Sequence, residues 1–156
     1  MIFKYTHVVF TVLALLILYN GCSNSVDPSE DHFEAVGLYI VANQDTIVRY
    51  EAGEVNGMIE VDVGSNSSPL SVLFVMNDGS LDLPPNETWT LDWQVADTSI
   101  ANVFAEEDVL NYIIRIKGEK IGQTLITIVL NHGDHIDFES LAIPIHVQET
   151  VILPKK

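Results

Sequence analysis

The chain has 156 residues, 47% hydrophobic and 19% charged, with 22 acidic side chains against seven basic ones and a formal net charge of −15. A field of that sign repels phosphate backbones and anionic headgroups, which excludes nucleic acid as a partner and excludes membrane attachment through a basic patch. Cations are the natural small partners, although an acidic surface also serves simply to keep an exported protein soluble.

The lone cysteine, Cys22, follows an apolar run from Val8 to Tyr19 that is broken only by Thr11, with Lys4 ahead of the run and Asn20 and Gly21 behind it. Twelve residues suit the apolar region of a signal peptide and are short for a bilayer span. The arrangement is similar to a bacterial lipoprotein signal, in which a peptidase cuts before a cysteine that carries the lipid; the alternative is a plain secretory signal. Gly21 matches the small residue before the cut, and Tyr19 stands where that family usually has Leu. The resemblance implies a signal peptide over residues 1–21, lipidation at Cys22 and a place in the bacterial cell envelope, held to the membrane by an N-terminal lipid anchor. Ser23, which is not Asp, is compatible with the outer rather than the inner membrane under the enteric sorting rule. Without residues 1–21, six basic residues face 22 acids, a formal charge of −16. No thiol then remains for a disulfide, so packing alone must hold the core.

Residues 22–31 read as the lipidated cysteine and a flexible tether, since SNSVDPSED is small, polar and acidic. One domain follows over residues 32–149, with a tail over 150–156. Short runs rich in Val, Ile, Leu and Thr alternate with Gly, Asn, Asp and Pro clusters, and no stretch sustains a helical period. The pattern predicts strands near 36–41, 46–50, 58–63, 70–76, 89–95, 100–104, 112–117, 124–131 and 141–147. Nine short strands in about 115 residues predict an all-β fold, an immunoglobulin-like β-sandwich of about seven to nine strands. Trp89, Leu91, Trp93 and Val95 share one strand face and are predicted core, with Trp89 the stronger candidate for an exposed sugar-stacking role. The segment 77–88, with its Asp-Gly and Pro-Pro pairs, is predicted to be an ordered surface connection without a strand.

From Leu70 to Val147 the order of motifs resembles the group 2 bacterial immunoglobulin-like domain. LSVLFVMNDG is followed by LDWQVADTSIANV, and farther on Lys117-Gly118 precedes Gly122-Gln123-Thr124-Leu125-Ile126-Thr127. The segment 46–63 matches less well and reads as an added hairpin or an elongated first-strand region. The resemblance implies a sandwich that displays or binds something on a cell surface, without catalytic activity.

The strongest chemical candidate is HGDHIDFE, residues 132–139. If Gly133 and Asp134 centre a two-residue hairpin, Gly in first place favours a type II′ turn and His132 faces His135, about 5 Å apart at Cβ. Simple alternation adds Asp137 and Glu139 to that face and turns Phe138 toward the core. In immunoglobulin-like sandwiches the start of the first strand lies at the same end, which adds His32 and Glu34, beside Asp31 and the loop acids Asp78, Asp82 and Glu87. Imidazole nitrogen with carboxylate oxygen suits a borderline divalent ion, Zn or Cu. The metal candidates are therefore His132, His135, Asp137, His32 and Glu34; the bland alternative is a polar loop tip rich in turn-forming His and Asp.

There is no phosphate-binding Gly loop, no Gly-flanked nucleophilic Ser and no Cys/His pair, so the chain is expected not to be an enzyme. The expected function is a non-catalytic envelope lipoprotein whose sandwich binds a protein or glycan partner, or alternatively a metal-binding envelope lipoprotein.

Overall fold

The computed structural model describes residues 32–85, 88–106 and 112–150. The signal segment, Cys22, the tether, Asp31, Glu87 and residues 151–156 lie outside them. Every element among the described residues is a strand. In chain order they are β1 (Ala35–Ala42), β2 (Asp45–Glu51), β3 (Glu54–Gly57), β4 (Ile59–Asp62), β5 (Leu70–Met76), β6 (Leu81–Asp82), β7 (Trp89–Val95), β8 (Ala101–Ala105), β9 (Ile113–Gly118), β10 (Gly122–His132), β11 (His135–Glu139) and β12 (Ile143–Gln148).

They form two sheets. One runs β3-β2-β1-β5-β9-β8, with β6 also paired to β5. In the other, β10 takes β7 along one edge and β12 and then β11 along its opposite edge, and β4 runs parallel to β12. The gap between β11 and β12 is bridged by buried Ser140, whose hydroxyl accepts the Ile128 N–H and donates to the Leu141 carbonyl. The result is an all-β, immunoglobulin-like sandwich.

Period-two alternation explains why the sheets close on one another. Leu70, Val72 and Phe74 of β5, Ile114 and Ile116 of β9, Ile126, Ile128 and Leu130 of β10, and Ile143, Ile145 and Val147 of β12 are each at most 2% exposed. Each such side chain contributes about 2 kcal/mol through burial, which lets the sandwich stand without a staple. Toward one end the core turns aromatic. Phe74 receives Phe33, Tyr112 and Phe138 edge-on, at ring-centroid distances of 5.5, 6.2 and 5.4 Å. Such T-shaped contacts fix ring orientation as well as burying area, and they make a rigid floor beneath the site described below.

Strands β5 and β7 have the bounds that alternation predicts. Segment 77–88 differs from expectation, because it contains the short strand β6, which pairs Leu81 with Val75 and Asp82 with Phe74. Gly79, at φ 82°, allows the reversal; its N–H bonds the Met76 carbonyl at 2.9 Å and returns the chain along β5. Segment 46–63 does form an added hairpin, β2–β3, followed by β4.

Both early hairpins turn on two residues of positive φ: Asn43 (50°) and Gln44 (74°), then Ala52 (51°) and Gly53 (77°). This is the turn whose twist matches paired strands, and it strongly prefers Asn-Gly. Gln44 occupies the position that Gly would take without steric cost. Gln44→Gly is accordingly expected to raise stability by about 0.5–1 kcal/mol. Urea unfolding checks this: the midpoint should rise at an unchanged slope, and an unchanged or lower midpoint contradicts the strain argument.

Candidate metal centre

The last hairpin sets the geometry. Gly133, at φ 60°, and Asp134 form its tip, and His132 pairs with His135 across the turn. Their rings meet edge-on with centroids 5.2 Å apart. On its other edge β10 pairs His132 with Trp89, and that cross-strand register stacks the imidazole on the indole at 4.2 Å with 13° between planes. The Trp89 carbonyl accepts the buried Tyr112 hydroxyl at 3.3 Å; burial pushes that phenol's pKa up and keeps it a donor.

Asp137 departs from simple alternation. The register passes from Leu130↔Phe138 to Asn131↔Ile136, so Asp137 is an extra residue of β11 without a partner on β10. A bulge of this kind bends the strand and re-aims a side chain. The Asp137 side chain is 1% exposed, while neighbouring Ile136 is 56% exposed. Phe138 is buried, as its position in the alternation predicts.

The chain ahead of β1 completes the cluster. Phe33 is buried edge-on against Phe74 and Trp89, which brings its backbone N–H to Asp137 Oδ2 at 3.0 Å. The Trp89 indole N–H donates to the same oxygen at 2.6 Å. Oδ1 faces the histidines instead. His32 Nδ1 hydrogen-bonds it at 3.0 Å, and His135 Nε2 also lies 3.0 Å away. Burial by itself pushes the Asp137 carboxyl pKa up. The bonds from His32, the Phe33 N–H and Trp89, with the His32 charge, outweigh that and hold it at about 2.

Two nitrogens stand out. His135 Nε2, despite its closeness to Oδ1, and His132 Nδ1, 3.9 Å from Oδ2, are buried and have no hydrogen-bond partner within the described protein. Such atoms are uncommon in folded proteins. Asp134, fully exposed, lies 3.7 Å from His135 Nδ1.

One nitrogen from each of His32 and His135 and one oxygen of Asp137 all lie within 4.8 Å of one another. A tetrahedral zinc with bonds of 2.0–2.1 Å separates its ligand atoms by about 3.3 Å, and the two nitrogen–oxygen distances of 3.0 Å are close to that. Imidazole nitrogen with carboxylate oxygen is a donor set of the kind that suits a borderline divalent ion.

Of the five candidates from the sequence, the structure brings together His32, His135 and Asp137. His132 forms a wall against Trp89 and is not part of the three-ligand group. Glu34 is exposed and faces Asn77, whose side-chain amide donates to it at 3.4 Å. Asp78 bonds the N–H and hydroxyl of Ser80, and Asp82 the N–H of Leu83, so both stay within their own turns. The Phe33 N–H and the Trp89 indole are the site groups that the sequence reading passed over. A buried indole N–H requires an acceptor, which was the available signal. Trp89 is 2% exposed and offers no face for a sugar.

No protein-family model and no curated protein sequence matches this chain. Among solved structures it is similar to domains 4 and 5 of the S-layer protein SbsC, at 19% identity and a TM-score of 0.41. That match covers 59% of this chain and 47% of the other.

Removing the Asp137 carboxylate strands the Phe33 N–H and the Trp89 indole. Asp137→Ala is expected to cost about 3 kcal/mol in urea unfolding at neutral pH. The pH dependence has a definite sign. The folded pKa of about 2 lies below the ordinary 3.8, so this carboxylate's contribution is complete above about pH 4 and is lost as pH falls toward about 2. Between those values the variant should lose less stability than the parent; equal losses contradict this role.

Proposed function

We propose that this chain is a lipid-tethered, non-catalytic module of the bacterial cell envelope, on the outer membrane, whose immunoglobulin-like sandwich binds a zinc or copper ion through His32, His135 and Asp137. The observation that carries the metal reading is the convergence of two imidazoles on one oxygen of a buried, ionised carboxylate, with a buried imidazole nitrogen left without a hydrogen bond. Imidazole with carboxylate suits zinc and copper, whereas calcium and magnesium take mainly oxygen donors. The apolar run ending in Gly21-Cys22 supports the tether, and the resemblance to a surface-displayed sandwich family supports a module that acts by binding.

A protein partner is a second part of the reading. Ile136 stands 56% exposed between two of the ligands, His135 and Asp137, and offers apolar contact beside the ion.

Calorimetric titration of the full chain, purified in detergent and stripped with chelator, tests the metal reading. Micromolar or tighter binding of zinc or copper at one ion per chain is expected. Binding should weaken at least tenfold in His32→Ala and in His135→Ala, and persist in Glu34→Gln, whose side chain faces away toward Asn77. Protons compete for the same nitrogens, so affinity should fall on acidification. Absence of binding, or equal binding by all variants, contradicts the reading.

A further inference from the structure

Resting on that metal reading, we infer that the bound ion serves as a clasp between the two sheets: it fastens the segment leading into β1 to the last hairpin and holds that segment docked.

The ligands come from both layers of the sandwich. His32 precedes β1, which lies inside one sheet, while His135 and Asp137 belong to β11 in the other. An ion held by all three therefore joins the sheets at this end, and it does so across a separation of 105 in sequence between His32 and Asp137. Cross-links that close long loops restrict the unfolded chain most. Antibody immunoglobulin domains join their sheets with a disulfide, which a chain with a single cysteine cannot form within itself.

The lead-in to β1 is the part of the fold that such a link would secure. The ladder between β1 and β5 is interrupted at its start: Ala35 pairs with Met76, and the register shifts before Gly37 meets Val75, leaving Val36 48% exposed. Glu34 is exposed and meets Asn77 only at 3.4 Å, long for a hydrogen bond. The buried Phe33 ring holds the segment from inside. Its two bonds to the hairpin both end on Asp137, from the Phe33 N–H to Oδ2 and from His32 Nδ1 to Oδ1.

Of these two bonds, the one from His32 gains most from an ion. The His32 side chain is 52% exposed, and water competes with a polar pair in that setting. Coordination would hold the same ring and the same oxygen through the metal. On the hairpin side, buried His135 Nε2, which has no hydrogen-bond partner within the described protein, supplies the further ligand. Asp137 Oδ2 keeps the Phe33 N–H and the Trp89 indole, so an ion on the Oδ1 side adds to the existing docking and displaces none of it.

Hydrogen exchange of the full chain in detergent, read by mass spectrometry with and without zinc, tests the clasp, and calorimetry on the same sample reports whether zinc binds. With zinc, amides of residues 33–36 and 135–139 should exchange at least tenfold more slowly. The turns at 42–45 and 118–122, at the far ends of β1 and β10, should exchange as before, because local opening there does not involve the link. In His32→Ala, zinc sufficient to fill the weakened site should slow the hairpin alone. Bound zinc that leaves 33–36 unchanged in the parent, that slows all segments alike, or that protects 33–36 equally in His32→Ala overturns the clasp and leaves the metal reading intact. Absence of binding removes both readings.

Discussion

The end of the sandwich depends on how one buried carboxylate is satisfied. A carboxylate with 1% of its side chain exposed is tolerable only when hydrogen bonds and positive charge replace the lost water. Asp137 recruits them from two places far from it in sequence: the segment before β1 and the start of β7. Satisfying it therefore fixes where the chain enters the fold and which way Trp89 points. The same requirement draws His32 and His135 onto one oxygen. Stability and the candidate chemistry share this group, so a change at Asp137 acts on both.

The aromatic floor makes the arrangement stiff. Phe33, Phe74, Trp89, Tyr112 and Phe138 lock one another edge-on, and the ligands project from the rim of that packing. By comparison, the surface pair between Lys117 and Glu119 at 2.9 Å contributes between about 0 and 1 kcal/mol and positions nothing. A site needs its supporting shell more than it needs additional charge. Here the shell is apolar, with two hydrogen-bond donors placed within it.

Much of this was legible in the sequence. Alternation along 70–76 and 89–95 marked the inward faces, and Gly133-Asp134 between two histidines marked a two-residue turn that makes them face. The convergence of His32 on the hairpin followed from the way sandwich ends assemble. Other parts could not be read this way. The bulge at Asp137 breaks the period on which the reading relied, and it changes which histidine joins the carboxylate: register stacks His132 on Trp89, and the N-terminal His32 takes its place. Glu34 lies two residues from His32 yet faces Asn77, because spacing along an irregular segment says little about direction. Strand β6 was hidden in a loop whose turn at Gly79 is short enough to send the chain back along β5.

Anomalous diffraction at the zinc edge from crystals grown with zinc tests the central claim most directly. The account predicts one strong peak within about 2.0–2.1 Å of a nitrogen of His32, a nitrogen of His135 and an oxygen of Asp137, with the Phe33 N–H and the Trp89 indole still bonded to the other oxygen. Zinc bound elsewhere on the acidic surface, with the Asp137 cluster unchanged, would contradict it.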